Sequence, residues 1–122
     1  MSNYKATILI DPKPKPRMTA RSKWVGRAKE YLTYQEKLAW EFFAVPDQPR
    51  YPTGKVALTC GIYVKGNRGD LKNYLAGVED ALQHGGIVKN DSQIVGYKEC
   101  WLHRGQQVGK IVVELNRVRE GG

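Results

Sequence analysis

Two carboxylates, Asp70 and Asp91, stand where a phosphodiester-cleaving site would need them, within the stretch RGDLKNYLAGVEDALQHGGIVKNDSQIV that runs from Arg68 to Val95. Asp70 follows a Gly66-Asn67-Arg68-Gly69 turn and opens a helical pattern, and Asp91 sits in the loop after that helix. A turn, helix and loop of this kind can fold back and bring its ends together, which would make the two acids oxygen ligands for one Mg²⁺. A hard cation so held lowers the pKa of a bound water and offsets charge on a pentacoordinate phosphate. Each acid also has a structural reading. Asp70 suits the N-cap of the helix, and Asp91 suits a turn in Asn90-Asp91-Ser92. Spacing alone favours the structural readings.

The neighbouring groups limit what the pair can do. On an ideal helix Glu79 lies near the azimuth of Lys72 but about 10 Å further along, so it does not share Asp70's metal. Asp80 lies on Asp70's side about 15 Å away, and is expected to cap, to pair with a basic residue or to face a partner. Lys72 has two readings: a point charge for a phosphate or in place of a metal, joining Asp70 and Asp91 as a catalytic candidate, or a solvated helix lysine. Either way a unit charge near 5 Å opposes cation binding by several tenths to a few kcal/mol. His84 and His103 have no nearby nucleophile and are not catalytic candidates.

Positive charge points to a polyanion. The 122 residues carry 20 Lys and Arg against 12 Asp and Glu, for a net charge of +8, and a domain this basic meets phosphate backbones first. The charge is uneven, with Lys13, Lys15, Arg17, Arg21, Lys23, Arg27 and Lys29 falling in one stretch that holds no acid. Pro14 and Pro16 alternate with the first of them, so the segment reads as an extended arm that displays its cations, or as a simple linker. Trp24 lies among these cations, where it would stack on an exposed base or wedge into a branch point, or else anchor the arm to the core. With Arg68 in the turn, these residues are the candidate nucleic-acid contacts.

The elements that position these groups follow from pattern. Ala6 to Ile10 reads as a short strand stopped by Asp11-Pro12. Arg27 to Ala44 reads as an amphipathic helix with Tyr31, Tyr34 or Gln35, Leu38 and Phe42 on its buried side. Pro46, Pro49 and Pro52 mark a surface loop. Lys55 to Val64 alternates as a central strand, with Gly61 as a bulge. Asp70 to about Gln83 is a second helix with Leu71, Tyr74, Leu75, Val78 and Leu82 in one apolar stripe, closed by Gly85-Gly86. Ile94 to His103 and Gly109 to Val118 complete a mixed sheet. The expectation is one small α+β domain over residues 1–122, with two main helices on the sheet. A chain this short gains from sharing a hydrophobic face, which suits a homodimer. Cys60 and Cys100 lack zinc spacing and read as reduced packing residues. No apolar run reaches the roughly 20 residues of a membrane span, and MSNYK is no signal peptide, so a cytoplasmic protein is expected.

The run DLKNYLAGVEDALQHGGIVKNDSQIV resembles the signature of RusA-type Holliday-junction endonucleases, D-L-D-N-L-x-K-x-x-x-D-A-L followed by a loop and D-D-x-Q-V. The matching residues are Asp70, Leu71, Asn73, Asp80, Ala81, Leu82, Asp91 and Gln93, and KPKPRMT is similar to that family's basic, proline-containing start. The resemblance implies a homodimeric, Mg²⁺-dependent enzyme, with Mn²⁺ as a substitute, that cleaves branched, four-way DNA and is carried by phages and prophages. The sequence departs from the signature at Lys72, where the second acid of D-x-D belongs, at Ala76, where its lysine belongs, and at Asn90, the first acid of the D-D pair. A non-catalytic junction-binding relative is therefore the alternative to an impaired nuclease. An RNA-binding or protein-interaction module is the third reading, and no RNA motif supports it.

Overall fold

The computed structural model describes residues 3–16 and 25–119. The first strand, β1 (Tyr4–Leu9), buries Tyr4, Ala6 and Ile8 and turns Lys5, Thr7 and Leu9 outward, the alternation a one-sided strand requires. It lies two residues earlier than Ala6-to-Ile10 suggests, because Tyr4 belongs to the core. Helix α1 (Val25–Ala44) starts two residues before Arg27 and buries Tyr31, Tyr34, Gln35, Leu38 and Phe42 as its periodicity predicts. Then come β2 (Val56–Tyr63), α2 (Leu71–His84), a short 3-10 turn (Asp91–Gln93), β3 (Ile94–His103) and β4 (Lys110–Arg117).

The four strands form one mixed sheet in the order β1-β4-β2-β3. β4 runs antiparallel to both β1 and β2, while β3 runs parallel to β2. Parallel neighbours need a crossover, and α2 supplies it. Both helices cover one face of the sheet, α1 over β1 and α2 over β2 and β3, and they pack against each other. The core between them is built from Ile8, Leu38, Phe42, Leu58, Ile62, Val78, Leu82, Ile111 and Leu115. This is the α+β architecture the sequence implies. Two register irregularities lie between Val56 and Ala57 and between Leu58 and Cys60. Gly61, expected to be the bulge, pairs regularly with Trp101 and Val112.

Tyrosines fasten the periphery to this core. Tyr4 is fully buried, and its hydroxyl donates to the Phe42 carbonyl at 2.8 Å, while its backbone N–H donates to the Tyr51 hydroxyl at 3.1 Å. Tyr51 comes from the proline-rich loop; it donates onward to the Leu115 carbonyl at 3.3 Å and bridges Val88. Cys60 and Cys100 are free and sit opposite each other on β2 and β3. No helix among the described residues is long and apolar enough to cross a membrane.

The end of α2 closes tightly on α1. A Cβ at Gly85 would stand 2.6 Å from the Ala39 carbonyl oxygen, a backbone atom that cannot rotate away. Gly85→Ala should therefore destabilise the fold by about 1–3 kcal/mol, read from the urea midpoint. Gly96→Ala, where an added Cβ meets nothing within 4 Å, should stay within about 0.5 kcal/mol of the parent.

Candidate active site

The Asp70 end of α2 is built by a turn that only glycine permits. Gly69 has φ +80°, and a Cβ there would fall 2.8 Å from the Tyr74 ring. The Tyr74 hydroxyl donates to the Arg68 carbonyl at 2.9 Å, and Arg104 reaches from beyond β3 to donate to the Gly69 carbonyl at 2.6 Å. Asp70 then takes an extended backbone, and its Oδ1 accepts the Asn73 N–H at 3.0 Å. It is the N-cap, a role that satisfies one otherwise free helix N–H and engages one carboxylate oxygen. Lys72 is exposed in the first turn and Ala76 is half-buried one turn on.

At the other end of the helix, Asn90 and Gln93 shape the loop that carries Asp91. Asn90 Oδ1 accepts the Ser92 N–H at 2.9 Å, and Gln93 Oε1 accepts the N–H groups of Lys89 and Asn90. The Gln93 amide donates in turn to the carbonyls of Tyr51 and Gly54, each at 2.9 Å. Asp91 is exposed, and its backbone N–H donates to Gln83 Oε1 at 2.9 Å. The acid that feels Asp91 is Glu79. Burial holds the Glu79 carboxyl above its ordinary range, a 2.6 Å hydrogen bond from the Tyr97 hydroxyl pulls it back, and Asp91 and Asp80 push it up further. The same hydrogen bond is the main reason that the Tyr97 phenol is pushed up to about 12.

Along one chain, the expected approach of Asp70 to Asp91 is opposed by the length of α2. Asp70 begins the fourteen-residue helix and Asp91 hangs from Gln83 near its end. At about 1.5 Å of rise per residue the two acids are separated by roughly 20 Å of helix axis, several times the reach of one ion with oxygens near 2.1 Å. Within one chain the residues do not fit a two-carboxylate Mg²⁺ site. No group of three or more His, Cys, Asp or Glu side chains suited to a metal occurs among the described residues.

The cations are partly where the sequence puts them. Lys13, Lys15, Lys29 and Arg68 are exposed, while Arg17, Arg21, Lys23 and Trp24 lie outside the described residues, as does the side chain of Arg27. The arm does not stand free at its start. The Lys15 N–H donates to the Asn73 carbonyl at 3.1 Å, and its ammonium pairs with Asp80 at 3.0 Å, so Asp80 does pair with a basic residue. Sequence reasoning missed Lys37 and Lys65, which join Lys13 and Lys29 around an open groove of about 870 Å³ that also holds Asp11 and Glu30. The spacing of Lys29, Thr33 and Lys37 marks one helix face and was the available signal.

A family model described as endodeoxyribonuclease RusA matches residues 10–116. No curated protein matches the chain.

The raised Glu79 carboxyl has a consequence for stability. A group held above its ordinary range in the folded state contributes most while protonated, and that contribution is lost as pH rises through the folded value. Glu79→Gln, which keeps an acceptor for Tyr97, should raise the melting temperature at pH 7 relative to the parent, and the gain should shrink towards pH 4. A gain of equal size at both pH values would detach it from ionisation.

Proposed function

This chain belongs to the RusA endodeoxyribonuclease family, and on that premise we propose that it is a structure-selective nuclease acting on four-way DNA junctions, impaired in turnover by its altered acidic end. The match over residues 10–116 is the observation that carries this reading. Family membership implies Holliday-junction endonuclease activity. The finer reading makes Asp70, Lys72 and Asp91 the reacting end of the protein, with Lys13, Lys15, Arg17, Arg21, Lys23, Trp24, Arg27, Lys29 and Arg68 on the DNA.

The chain's own residues suit binding better than hydrolysis. Lysines at 13, 29, 37 and 65 surround one groove, where phosphate contacts would supply sequence-independent affinity. Lys72, in the first turn beside the Asp70 cap, brings a point charge suited to a phosphate and opposed to a cation. Mg²⁺, or Mn²⁺ in its place, is the ion the family resemblance implies. Here it would find one carboxylate at each end of α2. In a homodimer the separated acids of one chain would each be free to meet groups of a second copy. The separation of Asp70 from Asp91, with Lys72 and Ala76 beside Asp70, is also what favours the second reading, a junction binder without turnover.

A labelled four-way junction with Mg²⁺, and EDTA as control, distinguishes the two. Binding should be retained while cleavage is slow or absent. Lys72→Asp with Ala76→Lys adds a carboxylate beside Asp70 and a cation one turn on, and should raise cleavage at least tenfold, about 1.4 kcal/mol of barrier. Brisk cleavage by the parent that survives Asp70→Asn would show the site to be elsewhere. No cleavage after the double change, with binding intact, would favour the binder.

Binding itself should weaken steeply with salt. Lys13→Ala with Arg17→Ala should flatten the slope of log affinity against log salt by about one unit per phosphate contact removed. An unchanged slope would take the arm off the DNA.

A further inference from the structure

The helices cover one face of the sheet. On the other face, residues opposite one another on neighbouring strands form rows across all four strands. One row is Leu9, Lys110, Tyr63 and His103; the next is Thr7, Val112, Gly61 and Trp101. None of these side chains belongs to the buried core, and Trp101 is 62% exposed.

The first row is a stack of plates standing on the sheet. Tyr63 and His103 are parallel at 4.3 Å between ring centres with an 11° tilt, and the Lys110 ammonium lies 4.7 Å from the Tyr63 ring centre. β4 flanks β2 on one side and β3 on the other, so Lys110 and His103 take opposite sides of the Tyr63 ring. Among the described residues β3 is the edge strand, so no strand there covers the outer face of the half-buried His103 ring. Trp101 stands on the same face two residues earlier, roughly 7 Å along the strand, a step comparable to that of an extended, unstacked nucleic-acid strand. Arg104, next in the chain and exposed, is bonded to the Gly69 carbonyl beside Asp70.

We propose that His103 and Trp101 form a stacking platform for two unpaired DNA bases, with Arg104 and Lys110 as the flanking cations. The proposal rests on the DNA reading above and adds the part of the substrate it grips: bases freed at the branch point, held beside the Asp70 turn. Bases suit this face better than a second copy of the chain does. A sheet-on-sheet interface would bury Lys5, Thr7, Thr59, Lys110 and Glu114 along with Leu9 and Val112, at a desolvation cost for each polar group left unpaired. A base covers the ring faces and leaves those groups in water, and aromatic plates bind any base because every base has a π-face.

The test is binding at pH 7.5, with single-stranded oligothymidylate and with a four-way junction carrying 2-aminopurine at the branch point. Trp101→Ala with His103→Ala should weaken oligothymidylate about tenfold or more and abolish the 2-aminopurine fluorescence change seen with the parent. Trp101→Tyr with His103→Phe, which keeps both plates, should restore both signals. Trp40→Ala, which removes an equally exposed tryptophan from α1, should change neither. Unchanged affinity and fluorescence in the double alanine variant would overturn the platform while leaving junction binding by the parent intact. So would a parental dimer that this variant converts to monomer in sedimentation velocity. A parent that binds no junction would instead overturn the DNA reading on which the platform rests.

Discussion

The parallel pairing of β2 with β3 is the constraint from which the rest of the arrangement follows. A chain that leaves the top of one strand must travel the length of the sheet before it can enter the next strand in the same direction. Here α2 makes that journey, and its length is therefore fixed by the strands it connects. The turn before α2 and the loop after it, which carry the two signature acids, are assigned to opposite ends of the sheet for the same reason. The groups that remain together are those that share an end: Asp70 with Lys72, Arg68 and Arg104, and Asp91 with Gln83, Glu79 and Tyr97.

The two helices are held in register by one buried amide. Gln35 on α1 donates from Nε2 to the Tyr31 hydroxyl at 3.1 Å and to the Gly77 carbonyl of α2 at 2.8 Å. Gly77 has no side chain to keep the elements apart, and an added Cβ would press on the Tyr31 hydroxyl and the Gln35 amide, with the Lys13 carbonyl in ordinary contact beyond them. The arm crosses α2 at this point, and the Lys15–Asp80 pair is laid down next to it. Residues 13–15 are thus laid along α2 by backbone and side-chain contacts together.

Much of this was legible in the sequence. The apolar stripes of α1 and α2 gave both helices to within two residues, and β-branched runs gave all four strands, because each element buries one face and its period shows. Asp70 as a cap and Asp80 as an ion-pair partner were readable from position on the helix. Convergence of Asp70 and Asp91 was not, since local pattern does not say whether two strands pair in parallel. Gln93 matches a motif that resemblance links to catalysis, yet here it binds four backbone groups around its loop, so the match records loop shape. Lys65 was hidden because it reaches the groove only through the fold. The Tyr63–His103 stack was hidden because its partners lie forty residues apart and meet only when β2 and β3 align.

Cys60 and Cys100 are directly opposed across β2 and β3, and both are free. Burial pushes the Cys60 thiol far up, with the charge of a Cys100 thiolate pushing the same way, and burial raises Cys100 as well, although a hydrogen bond with the Cys60 backbone pulls it part of the way back. The thiolate, and not the thiol, attacks disulfides and electrophiles. In the folded chain both sulfurs are therefore held towards the thiol form, the less reactive one with disulfides and alkylating reagents.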